Sequence, residues 1–129
     1  MNDEMIVLAK RAVACPKWRW MPGMRTVDAM RVIHDPDRWP DRPCAIREGG
    51  WIDTAPPRPL GDDLPDLSDP ATLGCLLALV REAWGDPTYL PTCLDPVDEA
   101  WVIEPPSREP QTRYGSYARV LVAALEAAP

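Results

Sequence analysis

Apolar side chains recur at helical spacing in three stretches and alternate in shorter runs between them. In residues 3–15, Met5, Leu8, Ala12 and Cys15 stand at i, i+3, i+7 and i+10, with Ile6, Ala9 and Val13 alongside. This spacing predicts a helix with one buried stripe. Asn2 or Asp3 can cap it, Glu4 suits the positive end of its dipole, Lys10 and Arg11 fall on the far side, and Pro16 stops it. Residues 70–84 give the clearest pattern. Asp69 is a natural cap, and Pro70 fills the first helical position, where a missing N–H costs nothing. Leu73, Leu76, Leu77, Val80 and Trp84 form one face, and Gly85 followed by Pro87 ends the helix. Gly74 in mid-helix suggests that another element approaches closely there. A third helix is predicted over 116–127, capped by Ser116, with Ala118, Leu121, Val122 and Leu125 facing inward.

The strand signals are short. Residues 17–28 have no helical period. Trp18 and Trp20, two apart, share a face in an extended chain, with Lys17 and Arg19 on the other. Pro22-Gly23 marks a turn, after which Met24–Val27 returns. Ala29–His34 reads as a strand, and residues 35–43 as a proline-rich loop. Cys44–Asp53 reads as a hairpin about Gly49-Gly50, followed by Trp51 and Ile52. Residues 55–70, rich in proline and aspartate, form either a covering loop or a mobile linker. Residues 86–99 read as a loop, and Ala100–Glu104 as a strand stopped by Pro105-Pro106. Together these predict one α+β domain spanning 1–129, in which a small antiparallel sheet of three to five short strands packs with about three helices.

Composition narrows the function classes. Seventeen prolines in 129 residues exceed the usual share of ~5% more than twofold, consistent with short elements and many loops. The net charge is −6. Residues 1–58 carry 10 Lys/Arg against 8 Asp/Glu, whereas residues 59–129 carry 4 against 12. So acidic a chain is repelled by phosphate backbones, which argues against general nucleic-acid binding. Twelve of the 14 basic residues are arginine and phenylalanine is absent, a bias that GC-rich coding explains without invoking nucleic acid. No apolar run approaches the length a membrane span requires. The acidic start, Met-Asn-Asp-Glu, predicts no export signal, hence a cytoplasmic location and reduced thiols.

Few residues qualify for chemistry. The single histidine, His34, precedes Asp35-Pro36-Asp37 and is the only candidate general base of its kind; a turn-side surface position is the simpler reading. Cys15, Cys44, Cys75 and Cys93 form no CxxC pair, and Cys75 reads as a small buried apolar residue. Asp62, Asp63, Asp66 and Asp69 resemble an oxygen-ligand cluster but lack the closing glutamate and turn glycine of a calcium loop. The sequence therefore predicts no metal, no cofactor and no enzymatic activity. Its most distinctive feature is Trp18, Arg19, Trp20 and Arg25, with Lys10, Arg11 and Lys17 nearby. Interleaved rings and cations build protein hot spots and also grip single strands of nucleic acid, and paired tryptophans equally serve core packing.

Three strings, AVACPKWRWMPGM at 12–24, LPDLSDPATLGCLLALVREAWGD at 64–86 and ARVLVAALEAAP at 118–129, resemble a family of small proteins encoded by phages and prophages of GC-rich bacteria, without an assigned activity. The resemblance implies a viral accessory protein in a bacterial cytoplasm and carries no catalytic pattern. The expectation is thus a non-enzymatic protein that binds another protein. A homodimer through short edge strands is a candidate assembly. The alternatives are single-stranded nucleic-acid binding through 17–25 and a small enzyme centred on His34.

Overall fold

The structure, a computed structural model, describes residues 3–47, 57–95, 97, 100–103 and 113–129. Its class is α+β: three helices and two three-stranded antiparallel sheets. Helix α1 spans Asp3–Ala14, α2 Pro70–Trp84 and α3 Tyr117–Ala127. The first sheet joins β1 (Met30–Ile33), β2 (Cys44–Arg47) and β3 (Arg58–Pro59) in that order. The second joins β4 (Thr92–Asp95), β5 (Ala100–Ile103) and β6 (Arg113–Gly115). One sheet of three to five strands was expected. The strands instead number six among the described residues and divide between two sheets. β3 contains a proline, which confines it to a sheet edge, and β4 lies between Pro91 and Pro96 inside the expected loop 86–99. Elements of two to four residues are too short to carry a period. The expected turn at Gly49-Gly50, together with Trp51 and Ile52, lies outside the described residues.

The helices follow their caps. Asp69 adopts an extended N-cap conformation and its side chain accepts from the Thr72 N–H, while Gly85 closes α2 at φ 65°. The buried positions of α2 are Thr72, Leu76, Leu79 and Val80, with Leu73, Leu77 and Trp84 half-buried against the same core. Ser116 caps α3, which buries Ala118, Val120, Leu121, Val122, Ala124 and Leu125 and touches α1, α2 and the second sheet. That central position explains its nearly all-round burial. From α1 come Leu8, Ala9 and Ala12. Gly74 departs from expectation. It is exposed, and a Cβ there would meet nothing within 4 Å. Gly23, next to α2, needs to be a glycine because of its φ of +100° rather than its space: Cys75 Sγ stands at ordinary contact distance, 3.9 Å from the Cβ it lacks. Cys75 is accordingly half-buried at this seam rather than deep in the core.

Residues 23–27 stitch the first sheet to α2. Gly23 N–H donates to Val32 O, Val32 N–H to Met24 O and Thr26 N–H to Met30 O, each at 2.8 Å. The connection before α2 is pinned along its described length, 57–69. Val27 N–H donates to Leu64 O (2.9 Å), Asp66 N–H donates to Arg25 O (2.8 Å), and Leu67 is 1% exposed. Ala55 and Pro56 of this stretch lie outside the described residues.

Candidate functional site

The tryptophan segment has no regular secondary structure over Trp18–Met21. Trp18 and Trp20 meet edge to face, centroids 5.4 Å apart at 81°, both half-buried against the core. The Trp18 Nε1–H is buried without an acceptor among the described residues. Arg19 lies across α2 and donates from Nη1 and Nη2 to the Glu82 carboxylate at 2.9 and 2.7 Å. Those hydrogen bonds raise the Arg19 pKa and lower that of Glu82. Arg25 Nη1 stands 3.9 Å from Asp66, and Arg11 pairs with Glu126 of α3. Lys10 and Lys17 are exposed. Three of the five cations around the indoles therefore face carboxylates of the same chain, whereas a phosphate groove needs cations free to meet phosphates.

The aspartates are similarly engaged. Asp63 accepts both Arg58 Nη groups (2.9 and 2.8 Å) and the Gly61 N–H (3.1 Å), and the Arg58 bonds hold its pKa down. Asp66 accepts from Ser68 N–H and Oγ–H. Asp69 Oδ2 accepts from Arg31 Nη1, Thr72 N–H and Thr72 Oγ1–H, all at 2.9 Å. Burial acts to raise the Asp69 pKa, but the hydrogen bonds from Arg31 and Thr72 outweigh it and leave it lowered. No group of three or more His, Cys, Asp or Glu among the described residues is placed to hold a metal ion.

His34 is exposed at the mouth of a cavity of about 200 Å³, shared with Trp20, Asp41 and Arg42 and floored by prolines. The Arg42 guanidinium lies 5.3 Å from the Trp39 ring centroid, a cation–π contact. Asp35 is turned to its own loop, accepting the Arg38 N–H at 3.3 Å, and Asp37 is exposed.

A larger concavity lies where no sequence signal pointed. A cleft of about 600 Å³ opens between the starts of α2 and α3, the second sheet and Met5 of α1. Trp101 of β5 and Tyr117 of α3 meet edge to face in its wall, centroids 4.8 Å apart at 74°. Leu67 and Leu73 add aliphatic surface, and burial pushes the Tyr117 phenol up. Its side-chain polar groups, besides the Tyr117 hydroxyl and the Trp101 indole N–H, are the hydroxyls of Ser68 and Ser116 and the thiol of exposed Cys93 among the described residues. Ser68 Oγ–H is given to Asp66, and Ser116 Oγ accepts the Arg119 N–H. The described lining contains neither imidazole nor carboxylate. It is a surface suited to apolar and aromatic contact.

The sequence reading missed this cleft because its walls come from separated positions: residue 5, residues 67–73, residues 93 and 101, and residues 116–118. No spacing links them. The available hint was Trp101 followed, beyond β5, by Tyr117 directly after a cap serine. Compared with protein-family models, with curated proteins and with solved structures, the chain matched none.

Proposed function

We propose that this is a non-enzymatic accessory protein of phage or prophage origin that works in the bacterial cytoplasm by binding another protein, through the cleft beside Trp101 and Tyr117. The cleft carries the reading. Aromatic anchors in a concavity supply most of the energy of protein interfaces, and here two half-buried rings line one wall. The viral origin rests on the three strings at 12–24, 64–86 and 118–129. In this reading Trp18 and Trp20 hold the extended segment to the core, and Arg19 clamps it to α2.

Affinity capture from a bacterial host lysate, followed by titration with the purified partner, tests the proposal. The wild-type chain should bind the partner directly. Trp101→Ala should weaken that binding by roughly 30-fold, the cost of losing an aromatic hot spot. A partner bound equally well by the variant, or turnover of a small substrate by the isolated chain, contradicts it.

A further inference from the structure

Resting on that reading of the cleft, we infer that the partner enters it as an extended segment: a short strand added to the free edge of β4, with one bulky apolar side chain turned into the cleft. β4 ends the second sheet, and among the described residues it pairs with β5 alone. Alternate residues of an antiparallel strand turn both backbone groups away from the paired neighbour. On β4 no backbone group bonds to a described residue outside β5, and Thr92 and Cys93 are exposed. Such an edge is completed along its length by another extended backbone. The register shows where the added side chains go. Cys93 lies directly opposite Trp101 of β5, and Trp101 opposite Gly115 of β6. Residues directly opposite one another share a face of the sheet, and Cys93 and Trp101 both line the cleft. A residue added opposite Cys93 continues that row, about 4.8 Å further on, and points into the same cleft. Two of the three exposed large apolar side chains among the described residues, Leu90 and Val97, stand just before and just after β4. The strand is a poor partner for its own copy. It is four residues long between Pro91 and Pro96, and its register shifts between Cys93 and Asp95. Prolines and bulges keep edge strands from pairing with one another, and a self-paired dimer would carry them on both strands. A segment of another chain meets them on one side only.

Synthetic peptides serve as probes, so that the protein itself stays wild type. The parent is a short chain of threonine and valine around one central tryptophan. Two isomers of it carry N-methyl groups on alternate amides, one set along each edge of the extended peptide. Only one edge can face β4. By calorimetric titration one isomer should therefore bind roughly tenfold more weakly than the parent, the loss of a pair of backbone hydrogen bonds, while the other matches it. Alanine in place of the tryptophan should weaken binding roughly 30-fold. The bound parent should also slow alkylation of Cys93 and leave Cys75 unchanged, which places it at the cleft. If the two isomers bind alike while Cys93 is shielded, the cleft seats a side chain without a strand; the inference is overturned and the docking reading stands. If no peptide binds, or one binds with Cys93 as reactive as before, no strand is added at β4 and the inference is overturned, while the response of the captured partner to Trp101→Ala judges the cleft separately. A chain that sediments as a dimer, with Cys93 shielded until dilution, assigns the edge to a second copy and overturns the inference as well.

Discussion

Asp69 joins three parts of the molecule through one carboxylate oxygen. Its Oδ2 caps α2 through the Thr72 N–H, accepts a hydrogen bond from the Thr72 hydroxyl, and meets Arg31 of β1, which also donates to Gly23 O at 2.8 Å. The Asp69 side chain is 10% exposed and that of Arg31 23%, so solvent screens the pair only in part. Asp69→Ala removes a helix cap worth about 1 kcal/mol. It also strips a charge-assisted hydrogen bond of roughly 1.5–3 kcal/mol from a guanidinium that stays half-buried. The expected loss is about 3 kcal/mol, a fall in Tm on the order of 10 °C for a domain of this size. Asp69→Ser separates the two contributions, because serine still caps but carries no charge. It should recover only about 1 kcal/mol of the loss. Urea unfolding of wild type, Asp69→Ala, Arg31→Met and the double variant Asp69→Ala/Arg31→Met closes a double-mutant cycle, in which Asp69 and Arg31 should couple by more than about 0.5 kcal/mol. Asp69→Ala within about 0.5 kcal/mol of wild type refutes the network. Full recovery by Asp69→Ser refutes the contribution of Arg31.

Other consequences are as direct. Gly74→Ala should stabilise the protein by about 1 kcal/mol, because the site is an exposed helix interior with open space around it, whereas Gly85→Ala should destabilise by about the same amount at φ 65°; thermal unfolding of the pair reads both signs. In the native state a thiol reagent should modify exposed Cys93 first and half-buried Cys75 more slowly, its thiol pushed up by burial, while buried Cys15 and Cys44 react only on unfolding; mass spectrometry of timed samples gives the order. Asp63 and Asp69 have lowered pKa values in the fold, so their contribution is complete above the ordinary carboxylate pKa, about 4, and is lost as pH falls through the folded values below it. Urea midpoints should therefore fall below about pH 4, less steeply in Asp69→Asn.

The sequence made legible what local physics decides. The Asp69-Pro70 start and Gly85 end of α2 follow from capping alone, and the α3 stripe from period. Strands β3, β4 and β6 were not legible, because runs of two to four residues acquire strand geometry only from their neighbours. Gly74 misled because a helix glycine looks the same in sequence whether or not anything packs on it. At the candidate sites the failure was of another kind. Residue types near 17–25 suggested free cations, but Glu82 and Glu126 stand more than sixty positions away from their arginines. The cleft, for its part, gathers Met5, Leu73, Cys93, Trp101 and Tyr117 by tertiary folding alone.

The central claim is that the cleft wall of Trp101 and Tyr117 is a protein-docking surface, and Cys93 reports on it from within. The direct measurement is the alkylation rate of Cys93 in the free chain and in complex with its purified partner, with Cys75 as the internal reference. Docking in the cleft should slow Cys93 at least tenfold while leaving Cys75 unchanged, an estimate that takes the thiol to be shielded from solvent in the complex. A stable complex in which Cys93 reacts as fast as in the free chain contradicts the account.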